Sequence, residues 1–157
     1  MNTDLSKFDN SWFKPSSTLK RFIWYFKNLV LFKSSLPWPN AIKVFTLRIF
    51  GAKVGKRVLI KPNVNIKYPW SLEIGDNVWI GERVWIDNLG KVKIGNNVWI
   101  SLGSVVLRGV TIGDNSTISA QSVVYNDVPE NCVYGGNPAV LIKKIEKIET
   151  ELETGIE

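Results

Sequence analysis

Few residues in this sequence can do chemistry, and one kind is missing altogether. The 157 residues include no histidine and a single cysteine, Cys132. One cysteine excludes an intrachain disulfide framework and a Cys-cluster metal site, so no metal is expected. With no imidazole to activate it, Cys132 reads as a passive side chain rather than a nucleophile. Proton transfer is left to carboxylates, and the candidates are Asp87, beside Asn88, and Glu82. A solvated carboxylate titrates near 4, which makes it a poor base at neutral pH. Each also has a plainer reading: Asp87 as a corner residue bonded to nearby backbone amides, Glu82 as a solvated corner.

Both carboxylates lie inside a repeat. Leu72–Ile80 (LEIGDNVWI) returns 20 residues later as Val92–Ile100 (VKIGNNVWI), and Ile112–Ser116 opens a third copy after 18 more. Within it runs a finer period. Val54, Ile60, Ile66, Ile74, Ile80, Ile86, Ile94, Ile100, Val106, Ile112, Ile118 and Val124 are six apart, except for two gaps of eight. Six fits neither the 3.6 of a helix nor the 2 of a single long strand. It fits a triangular solenoid in which each hexapeptide makes one flat side and one corner, and coils stack about 4.8 Å apart. Gly75–Asp76–Asn77 and Gly95–Asn96–Asn97 read as corners needing positive φ. The extra residues of the longer gaps are expected to bulge near Tyr68–Pro69 and Asn88–Leu89. Trp79 and Trp99 take equivalent outward places one coil apart, with Trp85 on the next side. Such a ladder reads as a subunit interface, with a sugar site as the alternative.

The flanks differ. Residues 17–33 read as a helix with Leu19, Phe22, Ile23, Phe26, Leu29 and Val30 on one face. Pro37 and Pro39 break it, and Asn40 is expected to cap a second helix that Gly51 ends. The two would close the open end of the prism. Lys20, Arg21, Lys27 and Lys33 offer the first helix another use, as peripheral membrane contact through residues 17–33. From Pro138 on, Leu141, Ile142, Ile145, Ile148 and Leu152 predict a C-terminal helix. The expected organisation is a helical cap (1–51), a solenoid (52–137) and a C-terminal helix or tail (138–157). The net charge is +6, and five Glu against one Lys in residues 146–157 leave the remainder at +10. A basic body suits an anionic ligand or surface. No nucleic-acid-binding motif accompanies it, and no nucleic acid partner is expected. The N-terminus lacks the pattern of a signal peptide, and no apolar run approaches the ~20 residues of a membrane span.

Specific strings go further than the repeat. Phe8–Asp9–Asn10, Gly51–Ala52–Lys53–Val54–Gly55, Ile60–Lys61–Pro62, Asn65–Ile66–Lys67–Tyr68–Pro69–Trp70, Trp85–Ile86–Asp87–Asn88–Leu89, Gly109–Val110–Thr111–Ile112–Gly113 and Gly136–Asn137–Pro138–Ala139 occur along nearly the whole chain. With them the sequence resembles the hexapeptide-repeat acetyltransferases, most closely the colanic acid (exopolysaccharide) biosynthesis O-acetyltransferases. The resemblance implies an all-β solenoid, a left-handed parallel β-helix of about four coils with N-terminal helices and a C-terminal helix. It also implies a cytoplasmic homotrimer, at the inner face of the membrane if the helical contact holds. Acetyl-CoA would be the co-substrate, in a groove between neighbours, and a sugar or lipid-linked saccharide the acceptor. Carried over by position, Ser101, Leu102, Ser104, Ser119 and Ala120 would follow the pantetheine arm. Asn137, Pro138, Ala139, Lys143 and Lys144 would lie near the nucleotide. Arg108 stands where the family often has Pro, to meet a CoA phosphate or simply to be exposed.

The sequence also departs from that pattern. The family carries an Asn-His-Asp motif on a mid-solenoid loop, and its His is the general base. Here Ile94–Ile100 leads directly into Ser101–Val106 and Gly109–Gly113, as if roughly two coils were missing. The absence of His also removes the zinc site of γ-class carbonic anhydrases, another branch of the fold. Acetyl transfer is therefore expected to be weak or absent unless a carboxylate substitutes. The alternative is a non-catalytic trimeric binding or structural protein.

Overall fold

In a computed structural model that describes residues 16–146, the hexapeptide period closes into a three-sided parallel β-helix. Side A stacks β1 (Lys53–Val54), β4 (Leu72–Ile74), β7 (Val92–Ile94) and β10 (Thr111–Ile112). Side B stacks β2 (Leu59–Ile60), β5 (Trp79–Ile80), β8 (Trp99–Ile100), β11 (Thr117–Ile118) and β13 (Cys132–Gly136), with β14 (Ala139–Lys144) added at its edge. Side C stacks β3 (Asn65–Ile66), β6 (Trp85–Ile86), β9 (Val105–Val106) and β12 (Val123–Val124). Like residues meet like: Ile60 pairs with Ile80, Ile80 with Ile100, and Ile100 with Ile118. These isoleucines are at most 2% exposed. The second buried residue of each hexad, such as Val78, Val98, Ser104 or Ser116, fills the corner from inside. The register runs unbroken from β8 to β11, with Trp99 over Thr117, across the place where the sequence suggests missing coils.

The corners divide their labour differently from the sequence expectation. Positive φ falls on asparagine, at Asn77 (56°) and Asn97 (54°), and not on the preceding Gly75 and Gly95. Glycine is there for space: a Cβ on Gly75 would stand 2.7 Å from the carbonyl oxygen of Gly95 in the next coil. The asparagines form an amide ladder along the A–B edge, Asn77 to Asn97 (2.8 Å), Asn97 to Asn115 (3.0 Å) and Asn115 to Asn131 (3.0 Å). The longer gaps do not simply bulge. Asn88 is fully buried, and its side-chain amide bonds the backbone N–H and C=O of Tyr68 one coil away.

A stack of strands ends in unpaired backbone, which must be covered. Two helices cover the first coil: α1 (Thr18–Lys27), continued by a wider turn over Asn28–Phe32, and α2 (Asn40–Ile49). Over β3, Trp24 Nε1 donates to Ile66 O (3.0 Å) and Asn28 bonds Asn65 (2.8 Å). Over β2, Asn40 accepts from Ile60 N (2.9 Å), and buried Lys43 donates to Ile60 O (3.0 Å). Burial pushes the Lys43 pKa below its usual value. Over β1, Arg48 donates to Val54 O (2.8 Å). Asn40 therefore braces the solenoid instead of capping α2, where Pro39 holds the cap position.

One question that the sequence leaves open is decided here, and one expectation, that of a C-terminal helix, is corrected. The apolar stripe of α1 faces outward: Leu19, Phe22, Ile23, Phe26, Leu29 and Val30 are exposed, while Trp24, Asn28, Leu31 and Phe32 meet the prism. The chain after Pro138 is not a helix as far as Lys144. It is β14, antiparallel to β13, and it supplies partners for an edge that would otherwise lack them. Ile148, Leu152 and Phe8–Asp9–Asn10 lie outside the described residues.

Side A carries charge on its outer face. Glu73 bridges Lys91 (2.8 Å) and Lys53 (2.9 Å). The two ammonium groups, Lys91 first, hold its carboxyl pKa down at about 2. A depressed carboxylate stabilises the fold above its unfolded pKa and stops doing so as pH falls through its folded value. Between pH about 4.5 and 2 the melting temperature is therefore expected to fall less steeply in Glu73→Gln than in the parent. The difference should shrink in high salt, because the pair is at the surface.

Candidate functional site

The corner between sides B and C gathers most of the expected ligand residues into one column. Gly81–Glu82–Arg83, Ser101–Leu102–Gly103 and Ser119–Ala120–Gln121 stack coil on coil, and Gly135 follows. The stack is held by Gly103 N to Glu82 O (2.8 Å), Ser101 N to Ile118 O (2.9 Å), Gln121 N to Leu102 O (2.9 Å) and Ser119 N to Tyr134 O (2.8 Å). Leu102 and Ala120 are exposed along it. Glycine keeps the coils close, since a Cβ on Gly81 would stand 2.9 Å from Leu102 N. Ser101, Ser119 and Ala120 are small, so this edge offers an extended ligand a narrow track of backbone and short side chains. That suits an amide-bearing arm such as pantetheine.

Ser104 does not belong to that outer track. It is fully buried, and its Oγ donates to Ser119 O (2.9 Å), which also accepts from Ser122 Oγ (2.7 Å). It positions the corner from inside. Asn137–Pro138–Ala139 sits at the turn between β13 and β14, beyond Gly135 and so at the end of the column. Lys143 and Lys144 do not join it. They pair with Val133 and Cys132 at the other edge of side B, five extended residues or roughly 16 Å from Ala139. Arg108 is exposed at the corner between sides C and A.

The two carboxylates flank Trp85 at opposite ends of β6. Glu82 is exposed at the B–C corner. Asp87, at the C–A corner, meets Lys67 Nζ at 3.2 Å, an ion pair without hydrogen-bond geometry. Its partner is thus an ammonium group one coil away, not the backbone amides expected from the sequence. Cys132 is buried. Among the described residues no three of His, Cys, Asp and Glu gather as a metal cage would require.

A cavity of about 360 Å³ lies where α1 meets side C, lined by Arg21, Tyr25, Lys33, Lys67, Tyr68 and Trp85 among others. Sequence reasoning missed it, because its walls come from three separate segments, 21–33, 65–68 and Trp85, whose contact only the docking of α1 creates. The tryptophan ladder of side B forms as expected. Trp79 and Trp99 lie 6.0 Å apart at 34°, with Lys61 over Trp79 at 5.4 Å, and both rings are about half exposed. Trp85 is exposed on side C.

Comparison with known proteins agrees with this architecture. Residues 91–126 match the family model for bacterial transferase hexapeptide (six repeats). WcaF of Escherichia coli strain K12, named as a colanic acid biosynthesis acetyltransferase, is 33% identical, over 88% of this chain and 93% of its own length. The alignment spans 172 positions but takes in only 88% of 157 residues, about 138. About 34 positions of WcaF, the difference, therefore have no counterpart here, close to two 18-residue coils. A galactoside acetyltransferase crystallised with coenzyme A superposes with a TM-score of 0.62 at 28% identity, covering 82% of each chain. A hexapeptide-repeat acetyltransferase of Vibrio cholerae crystallised with acetyl-CoA shares the fold, with a TM-score of 0.67 at 22% identity over 82% of this chain and 88% of that one.

Proposed function

Because the chain belongs to the hexapeptide-repeat acetyltransferases and folds as their left-handed β-helix, we propose that it binds acetyl-CoA and serves acetyl transfer to a sugar hydroxyl of an exopolysaccharide precursor, as a homotrimer in the cytoplasm. The observation that carries this reading is the match to WcaF over 88% of this chain and 93% of that one, together with the stacked Ser101–Ser119 corner. Bound acetyl-CoA supplies the activated thioester. The chain's own part is to hold an extended arm along Ser101, Leu102, Ser119 and Ala120, with the Asn137–Ala139 turn at its end. Ser104 and Ser122 keep the Ser119 carbonyl fixed beneath it. Trp79, Trp99 and Trp85 leave aromatic surface on sides B and C, whereas side A carries lysines and Glu73. That asymmetry supports neighbours on B and C and solvent on A.

One observation favours a second reading, a non-catalytic trimeric binding protein. The chain has no histidine, and the two carboxylates nearest Trp85 are a lysine-paired Asp87 and an exposed Glu82. Both readings keep the trimer, and both are open to the same first experiment. Titration calorimetry with acetyl-CoA, with the mass in solution recorded, is expected to show micromolar binding by a trimer. Ala120→Trp should abolish that binding while leaving the melting temperature unchanged, since Ala120 is exposed. A parent protein that binds no acetyl-CoA would overturn the acetyltransferase reading.

A further inference from the structure

Among the described residues the outward face of α1 has no partner, although it carries most of that helix's large apolar residues. Phe22 and Tyr25 are 61% and 62% exposed, and Phe26, Leu29 and Val30 are 44–50% exposed. The helix cannot roll to bury them. Trp24 Nε1 is bonded to Ile66 O and Asn28 to Asn65, which locks the opposite face onto the first coil, and Trp38 Nε1 from the segment between the helices donates to Val30 O (2.9 Å). Beside the stripe stand exposed Lys27 and Lys33, with half-buried Lys20 over the Trp70 ring and half-buried Arg21 at the side C cavity, and no described carboxylate pairs with any of the four.

Charge decides what kind of surface covers this face. Between Asp9 and Glu73 the chain has twelve Lys and Arg and no acidic residue, although Asp and Glu number 14 in all. Among the described residues the helical cap and first coil, 16–72, thus contribute cations and no carboxylate of their own, and of these Lys53 and Lys67 are paired with Glu73 and Asp87 of the next coil. A second copy of the same face would bring like charges together, and a polar solvated helix would not expose phenylalanines. Aromatic and aliphatic side chains rimmed by lysine and arginine match the interface of a bilayer with anionic headgroups. No described helix is long and apolar enough to cross a membrane. We infer that the α1 face is a docking surface for an anionic lipid bilayer, with Phe22, Tyr25, Phe26, Leu29 and Val30 entering the interface and the exposed Lys27 and Lys33 meeting lipid phosphates. The inference is independent of acetyl transfer, since a chain without that activity can still dock.

The test is co-sedimentation of the full chain with vesicles of neutral phospholipid alone or mixed with an anionic phospholipid. Binding is expected only to the mixed vesicles, and it should weaken as salt is raised. Lys27→Gln and Lys33→Gln should each reduce it about fivefold. Phe22→Ser with Phe26→Ser should abolish it without lowering the melting temperature, because both rings are exposed. Lys93→Gln, on side A, should leave it unchanged. Three results would overturn the inference: no binding to mixed vesicles, equal binding to neutral ones, or a Phe22→Ser/Phe26→Ser chain that still binds. If that double substitution changed the mass in solution and not vesicle binding, the face would be a subunit contact instead.

Discussion

Acetyl transfer to a sugar hydroxyl is expected to run about 10²- to 10⁴-fold slower in this protein than in a relative that keeps a positioned histidine, the range a general base typically supplies. The reason lies in what stands near the donor corner. Glu82 is exposed there, and a solvated carboxylate is a poor general base for a hydroxyl proton. Asp87 sits at the far end of β6, and its negative charge is already engaged by Lys67. Asp87→Asn is therefore expected to leave the residual rate unchanged. Thiol release from acetyl-CoA in the presence of a sugar acceptor measures both. A rate equal to that of a histidine-bearing relative would show that the missing base does not limit this protein. A rate lost in Asp87→Asn, with acetyl-CoA binding intact, would make Asp87 the base after all.

Ile100→Ala is expected to destabilise the fold by about 2–5 kcal/mol, measured as a lower urea midpoint with an unchanged slope. Ile100 is fully buried and stacked between Ile80 and Ile118, so its neighbours above and below are held by the ladder and cannot close the gap. Total stability for a domain is about 5–15 kcal/mol, so a single deletion in the middle of the column removes a large fraction. The same truncation at Trp99, on the outer face of the same strand, should cost the isolated protomer much less. It would instead weaken the association proposed for side B. A small loss for Ile100→Ala would mean that the central coils rearrange freely, contrary to the fixed register between β8 and β11.

The column of isoleucines is legible in the amino-acid pattern because a solenoid is nearly one-dimensional. Each coil touches only its neighbours, so a period in the sequence becomes a period in space. The same logic makes the tryptophan ladder readable, and it extends to Lys67 and Asp87, which are 20 residues apart, one coil length, and pair. The corner glycines are ambiguous in sequence, because close approach of the next coil and positive φ both call for a missing Cβ. Only the three-dimensional geometry separates Gly75, where space decides, from Asn77, where the angle decides. Ser104 belongs to the expected corner but points inward, a difference of one place in the alternation.

From the amino-acid order alone follows the coil: its period, its inward residues, its corners, its family and the lack of a histidine. These depend on contacts between equivalent positions of successive repeats. How the ends are closed is settled only in three dimensions. Helical spacing shows that α1 has an apolar stripe, but the bonds of Trp24 and Asn28 to β3 select the other face for burial. The run after Pro138 has helical spacing too, and the open edge of β13 draws it into a strand. In both places unpaired backbone at the end of a β-stack, which no local pattern records, outweighs the preference of the segment that covers it.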